Sequence, residues 1–197
     1  RPRKQRNMEH PSPRLATWIN TLIIMAAISV VLVSCSSEEP AYEETIPRTL
    51  NTGDQIPVVT GDKILTITGG IIGQSEIVAD TGLLESVGTV KYTVYDPYEN
   101  RTVEYEGVLL ENLFDQFGGT DATDITITAL DDYQQVIPRA DAEKWPIILA
   151  LKADGQYAQR EHRGPSMIIY PYDSYTELEP SVYDPFWVWQ IASITFN

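Results

Sequence analysis

Thiols are almost missing from this sequence of 197 residues. It contains one cysteine, Cys35, and beyond residue 35 it contains one histidine, His162. A single cysteine excludes an intramolecular disulfide, and the two counts together exclude a zinc site built from cysteine and histidine. Ser-His-Asp catalysis would depend entirely on His162. The alternative role for that histidine is an ordinary polar position in a loop.

Basic residues are also scarce. The chain has 14 Lys and Arg against 28 Asp and Glu. Residues 1–35 hold five of these basic residues and one of the acidic residues, which leaves nine basic and 27 acidic residues and a formal charge of −18. Such a surface repels the phosphates of nucleic acids and anionic lipids. The sequence therefore predicts no nucleic-acid partner, and attachment to a membrane would need a lipid anchor.

Long hydrophobic runs are absent apart from residues 22–33, near the N-terminus. This run is shorter than the roughly 20 residues that cross a bilayer, and it is typical of a signal peptide. Residues 32–35 (LVSC) resemble a bacterial lipobox, so residues 1–35 are predicted to be a signal peptide whose Cys35 is lipidated. Because Ser36 follows instead of aspartate, the resemblance implies the periplasmic face of the bacterial outer membrane. A plain signal peptide or an uncleaved anchor helix is the alternative.

The rest of the chain divides into a linker and one domain. Residues 36–61 are rich in Glu, Pro and Thr without hydrophobic periodicity, which predicts a flexible acidic linker. In residues 62–197, strand patterns of period two alternate with short helical patterns, as in the alternating run 125–130. This mixture indicates a single α+β domain. The apolar run 186–196 predicts its closing strand.

Chemistry-bearing residues concentrate between Ile125 and Asp173. The strand pattern 125–130 ends at the pair Asp131-Asp132, and a polar loop at 160–165 precedes a buried strand pattern. Strand ends and loops of this kind converge on one pocket in many folds. We therefore expect a binding cleft between the end of this strand and the 160–165 loop.

The order of these motifs resembles the sulfite-oxidase-type molybdopterin-binding domain. The matching segments are Gly107–Phe114, Val136–Pro138, Ile148–Ala150, Asp154-Gly155 and His162–Pro165 ahead of a strand that ends at Pro171, with a first strand at Leu65–Gly69 and a closing strand at Trp187–Phe196. Together they cover about residues 60–197. The resemblance implies a mixed sheet with short helices and a cleft for a pterin.

The sequence departs from that family at the metal ligand. Family members that oxidise sulfite-like substrates hold molybdenum through a cysteine thiolate, whereas Cys35 lies outside the predicted domain. Carboxylates do not replace a soft thiolate without changing the metal and its redox potential. We therefore expect no tightly bound metal. Thiol-free chains of this kind resemble periplasmic pterin-binding proteins that pass ligand occupancy to a membrane signalling enzyme.

A pterin offers a flat ring and an edge of N–H, amino and carbonyl groups, which call for a carboxylate, stacking aromatics and a cation. The candidate pterin-binding residues are Asp131, Asp132, Tyr133, Trp145, Arg163, Tyr172, Trp187 and Trp189. Residues 131–133 also read as an ordinary turn, and one of the two last tryptophans is expected in the core. The few cations of this stretch favour an unphosphorylated pterin, with molybdopterin as the larger alternative.

The sequence thus predicts a non-catalytic pterin-binding lipoprotein in the periplasm. The expected protein partner is the periplasmic domain of a cyclic-di-GMP enzyme or of a sensor kinase. Two alternatives stay open. One is a molybdopterin-dependent oxidoreductase, or a subunit of one, without the usual cysteine ligand. The other is an interaction domain that binds no ligand.

Overall fold

A computed structural model describes residues 41–69 and 75–197, which belong to one compact unit. The strands are β1 (Glu43–Ile46), β2 (Lys63–Gly69), β3 (Glu76–Asp80), β4 (Thr89–Asp96), β5 (Arg101–Leu109), β6 (Asp124–Ala129), β7 (Gln134–Pro138), β8 (Ile148–Ala153), β9 (Gln156–Tyr157), β10 (Met167–Ile169) and β11 (Ile191–Phe196). The helices are α1 (Thr81–Ser86), α2 (Leu110–Leu113), α3 (Arg139–Lys144) and α4 (Pro180–Tyr183). A π-helical turn (Phe114–Gly118) and three 3-10 turns (Arg160–His162, Tyr172–Ser174 and Asp184–Phe186) complete the elements.

The predicted signal peptide and the predicted lipidation site, Cys35, lie outside the described residues. Within the described ranges, no helix combines the length and the apolar character that crossing a membrane requires.

The strands form two sheets. The first sheet has the order β1-β4-β5-β8-β10, with β9 also paired to β8, and its pairs are antiparallel. The second has the order β3-β2-β11-β6-β7; among the strands described, its parallel pair is β2 with β11. The predicted α+β fold with a mixed sheet, short helices and a single domain is confirmed.

The periodicity of the sequence places one face of each element in the core. In β6, Ile125 and Ile127 are fully buried, whereas Thr126 between them is half-buried. Burying one such isoleucine stabilises the fold by about 1.5–3 kcal/mol. Phe114, which follows α2, packs edge-on against Phe196 of β11 with ring centroids 5.3 Å apart. This contact joins the helical segment to the second sheet.

The strand β5 approaches β8 so closely that one position requires glycine. A Cβ on Gly107 would lie 2.1 Å from the carbonyl oxygen of Leu149. The pairing register shifts between Glu106 and Gly107, which is the irregularity of a β-bulge. β5 then runs directly into α2.

The linker prediction is wrong for part of its range. β1 pairs with β4, Leu50 is only 7% exposed, and Arg48 donates a hydrogen bond of 2.7 Å to the side chain of Gln116. The burial pattern of β1 shows the reason, because its two glutamates are exposed and none of its residues is fully buried. A four-residue edge strand of this composition produces no clear hydrophobic period.

The closing strand is shorter than the predicted run 186–196. β11 begins at Ile191, and Gln190 before it has a left-handed φ of 51° that interrupts the extended chain. Trp187 and Val188 are apolar because they are buried, so in the sequence they extend the apolar pattern of the strand although they lie outside it. Residues 187–190, which precede β11, line the candidate site.

Candidate functional site

A pocket of about 230 Å³ lies where three chain segments meet. These are the turn after β6, the segment 184–190 and the turn between β4 and β5. Six of the residues that line it are Tyr98, Asp131, Tyr133, Asp184, Trp187 and Trp189. The pocket therefore combines aromatic walls with two carboxylates.

Gln190 joins the segments that form the pocket. Its carbonyl oxygen accepts a hydrogen bond of 2.9 Å from the backbone of Leu130, just beyond β6. Its backbone N–H donates to the carbonyl of Arg163 at 3.1 Å, and its side-chain amide donates to that of Arg160 at 2.9 Å. A left-handed non-glycine residue costs roughly 1–2 kcal/mol. These three bonds offset that cost and connect the end of β6 to the 160–165 loop.

Two tyrosines are anchored on the segment 184–190. The Tyr98 hydroxyl donates to the carbonyl oxygen of Asp184 at 3.1 Å, and the Tyr133 hydroxyl donates to that of Pro185 at 3.0 Å. Trp189 meets Tyr98 edge-on, with ring centroids 4.9 Å apart and planes at 80°. The hydroxyls hold both phenol rings in place as walls of the pocket.

A buried ion pair stands next to these walls. Asp96 is 0% exposed and accepts a 2.7 Å hydrogen bond from Arg163, which also pairs with Glu99 at 2.7 Å. The Tyr105 hydroxyl and the backbone N–H groups of Tyr98 and Glu99 donate to the same carboxylate. Burial alone would raise the pKa of Asp96, but the hydrogen bonds from Arg163 and Tyr105 hold that pKa below its ordinary value. Burial alone would lower the pKa of Arg163, and the bonds to its two carboxylates raise it instead.

Arg163 supports the aromatic walls without lining the pocket. Its guanidinium carbon lies 5.8 Å from the ring centroid of Tyr98 and 5.7 Å from that of Trp189. These distances lie within the range of cation–π attraction, which is worth about 0.5–2 kcal/mol depending on burial. The cation expected to meet the ligand is therefore engaged by Asp96 and Glu99, with two aromatic rings beside it.

The buried Trp187 Nε1 has no hydrogen-bond partner among the described residues. Tyr172 stacks on Trp187 at 5.3 Å, with an interplanar angle of 20°. Burial, the charge of Asp184 and a side-chain hydrogen bond to Asp184 all raise the pKa of Tyr172, so the hydroxyl of Tyr172 and the carboxylate of Asp184 lie against each other. The unpaired indole N–H costs about 1–3 kcal/mol.

The structure brings four of the eight predicted residues together in this pocket: Asp131, Tyr133, Trp187 and Trp189. Tyr172 lies behind Trp187 and Arg163 lies behind Trp189, so neither belongs to the lining. Of the two tryptophans, Trp187 is the core residue with 3% exposure, as the sequence predicts for one of them.

Two predicted residues lie away from the lining. Asp132 occupies the left-handed position of the turn after β6, with φ of 67°, and is exposed. Trp145 is 5% exposed and packs edge-on against Tyr183 at 5.6 Å, while its indole N–H already donates to Glu177 at 3.2 Å. Trp145 is therefore a core residue with a satisfied polar edge, and it does not line this pocket.

Sequence reasoning missed Tyr98, Asp184 and the buried Asp96. Asp96 and Tyr98 stand in the turn DPYEN, whose composition is that of any tight turn. Asp184 lies in the long aromatic and acidic loop from Tyr172 to Pro185, and loops of this length inside a compact domain are often functional. The length and composition of this loop could have pointed to Asp184 as a site residue. No feature of the sequence near Asp96 indicated that it would be buried beside the pocket.

The lining suits the ring of a pterin better than its phosphorylated forms. The volume of about 230 Å³ is below the roughly 300–1,000 Å³ of typical ligand pockets, which indicates a small heterocycle. The described lining has carboxylates and aromatics but no Lys or Arg. A phosphate needs cations at close range, so the residues fit the pterin ring and do not fit the phosphate of molybdopterin. Within the described ranges, no three His, Cys, Asp or Glu side chains group as a metal site.

Two larger cavities have the character of surface clefts. One of about 550 Å³ includes Asp80, whose oxygens are already bonded to the backbone of α1 and of Gly61. The other, of about 360 Å³, includes Arg163 and Asp154, which are engaged in ion pairs. Because these charged groups already have partners, the smaller aromatic pocket is the better candidate site.

Comparison with known proteins places the fold. No protein-family model and no curated protein matches this chain. Among solved structures, the crystal structure of the sulfane dehydrogenase SoxCD from Paracoccus pantotrophus matches with a TM-score of 0.52 and 15% sequence identity. The match covers 72% of this chain and 39% of that chain. At this identity the likeness shows the fold alone, and the chain has the sulfite-oxidase-like α+β fold.

Proposed function

We propose that this protein is a periplasmic lipoprotein that binds a pterin without catalysis and reports its occupancy to a membrane signalling enzyme. The observation that carries the proposal is the pocket itself, in which the aromatic walls of Tyr98 and Trp189 stand beside the carboxylates of Asp131 and Asp184. Aromatic rings stack on a flat heterocycle, and carboxylates accept from its N–H groups in strong charge-assisted hydrogen bonds. The resemblance of the sequence to sulfite-oxidase-type molybdopterin-binding domains, whose fold this chain has, implies a cleft for a pterin and so supports the proposal.

The proposed signalling role depends on where the protein would be located in the cell. A lipid on Cys35 would keep the domain close to the membrane, within reach of the periplasmic domain of a cyclic-di-GMP enzyme or of a sensor kinase. Occupancy becomes a signal only if ligand favours one arrangement of a surface segment over another. Six residues from Asp184 to Gln190 line the pocket, so this segment is the one whose position a ligand would bias.

Calorimetric titration of the purified mature protein with oxidised and tetrahydro forms of pterin tests the binding. We expect one site, and we expect Trp189→Leu to weaken binding about fivefold, because leucine keeps apolar area but loses a stacking interaction worth about 1 kcal/mol. Tyr157→Leu is the matched control, since Tyr157 is an exposed aromatic outside the pocket lining. If the wild-type protein binds neither form, the proposal fails and the interaction domain without ligand takes its place.

Metal analysis separates the proposal from the oxidoreductase alternative. Protein purified from a host that makes the molybdenum cofactor should contain molybdenum far below one atom per chain, because no thiol follows Cys35. Near-stoichiometric molybdenum would instead support an oxidoreductase that uses a different ligand.

A further inference from the structure

Building on the pterin site proposed above, we infer that the pocket selects ligands that carry a positive charge, such as a protonated amine or an alkylammonium group. On a pterin, this charge would lie on a protonated ring nitrogen or on an ammonium group of the side chain. The features that carry the selection are accessible aromatic walls, two carboxylates and a described lining without Lys or Arg.

The aromatic walls of the pocket are accessible to a ligand. Tyr98 is 48% exposed and Tyr133 is 44% exposed, and both line the pocket together with Trp189. The two tyrosine hydroxyls already donate to the backbone carbonyls of Asp184 and Pro185, at 3.1 Å and 3.0 Å. The rings therefore offer a ligand mainly their π-electrons. Such rings attract cations, and cages built from them are a common binding site for quaternary ammonium groups.

Both charged residues of the described lining are acidic. Asp131 is exposed at the pocket, and Asp184 is half-buried beside it. Because Coulomb attraction acts through space, neither carboxylate has to touch the ligand to affect its binding. A cation that enters the pocket is attracted by both charges, whereas a carboxylate or a phosphate is repelled by both. The lining therefore favours one sign of ligand charge.

Arg163 stands near the same walls but does not cancel this negative charge. Its guanidinium carbon lies 5.8 Å from the ring centroid of Tyr98 and 5.7 Å from that of Trp189. The same guanidinium pairs with Asp96 and with Glu99, each at 2.7 Å. One positive charge thus meets two carboxylates, and the lowered pKa of Asp96 keeps that carboxyl ionised. The group behind the walls leaves negative charge in excess.

The size of the pocket and the charge of the whole domain agree with a small cation. The pocket holds about 230 Å³, less than the roughly 300–1,000 Å³ of typical ligand pockets. Residues 36–197 contain nine basic and 27 acidic residues. A surface with this excess of acid raises the local concentration of cations and steers them to the protein.

Calorimetric titration with two pairs of probes at pH 7 tests the selection. The first pair is choline and dimethylbutanol, its uncharged carbon isostere. The second pair is 6-aminomethylpterin and 6-carboxypterin, which share a ring and carry opposite charges. The cationic member of each pair should bind about tenfold more tightly or better. This preference should shrink about threefold or more when sodium chloride is raised from about 20 mM to about 500 mM, because salt screens charges at an exposed site.

Three variants test whether the selection belongs to the pocket. Asp131→Asn should weaken binding of choline about three- to tenfold and change binding of dimethylbutanol about twofold or less. Asp132→Asn is the matched control, because it removes the same charge from an exposed neighbour outside the lining, and it should change both about twofold or less. Trp189→Leu should weaken choline about fivefold and dimethylbutanol about twofold or less, since leucine keeps apolar area without a π-face. Thermal melting checks that each variant is folded.

The outcomes separate the charge selection from the proposed function. If the two members of each pair bind equally, the selection is overturned while pterin binding stands. If Asp132→Asn costs as much as Asp131→Asn, the preference comes from the general charge of the domain, and selection by the pocket is overturned. If choline is preferred over dimethylbutanol but no pterin binds, the selection stands and the proposed function fails. If none of the four probes binds, both fall together.

Discussion

Replacing Asp96 by asparagine perturbs the most buried charge beside the pocket. The carboxylate is fully buried and accepts from Arg163 at 2.7 Å, from the backbone N–H of Tyr98 at 2.8 Å and from that of Glu99 at 3.0 Å. The Tyr105 hydroxyl donates to the same oxygen as Arg163. Asparagine keeps one acceptor oxygen for the two backbone donors. Its NH₂ group would then face the donors of Arg163 and Tyr105, from which it cannot accept a hydrogen bond.

The expected loss is about 3 kcal/mol of unfolding free energy. Removing one partner of a buried ion pair typically costs about 3–5 kcal/mol. The lower end applies here because Glu99 still pairs with Arg163 at 2.7 Å. For a domain of this size, 1 kcal/mol shifts the melting temperature by about 2–4 °C, so we expect a decrease of roughly 6–12 °C.

The sign of the pH dependence follows from the lowered pKa of Asp96 in the folded state. A carboxyl whose folded pKa lies below its unfolded value of about 3.9 stabilises the fold above that value. That contribution is lost as the pH falls through the folded pKa. The difference between wild type and Asp96→Asn should therefore be constant near neutral pH and shrink below about pH 4.

Urea denaturation at pH 7, and at several values down to pH 3, measures both effects. The matched control is Glu99→Gln, which removes the more exposed carboxylate of the same arginine and should cost about 1 kcal/mol or less. The reasoning would be refuted if Asp96→Asn unfolded at the same urea concentration as wild type, or if Glu99→Gln were the more damaging change.

Two further predictions concern local structure and anchoring. Asp80 caps α1 by accepting from the backbone N–H of Leu83 at 2.8 Å, and it also accepts from Gly61 at 2.8 Å. Asp80→Ala should therefore cost about 1–2 kcal/mol in urea denaturation, and equal stability of the alanine variant and wild type would contradict the cap. Cys35→Ser should release the protein from membranes into the soluble fraction of its host, and unchanged partitioning with membranes would show that no lipid on Cys35 anchors it.

The sequence alone was enough to predict the elements whose residues are neighbours along the chain. The alternating run at residues 125–130 predicts a strand from local periodicity alone, and the structure contains it as β6. The lack of thiols and the excess of acid likewise needed only the list of residues. The resemblance to sulfite-oxidase-type domains, which depended on motif order, correctly predicted the fold.

Only the tertiary structure decided which of these residues meet. Arg163 and Asp96 are 67 positions apart and lie within 2.7 Å, and Tyr98 reaches the carbonyl of Asp184 across 86 positions. The order of strands in the two sheets and the left-handed turn at Gln190 bring these segments together, and no local pattern encodes either feature. The sequence could therefore name the kinds of group that a pterin pocket needs. Which carboxylates line the pocket was decided by long-range packing, because burial and neighbours across the fold are properties of the folded chain.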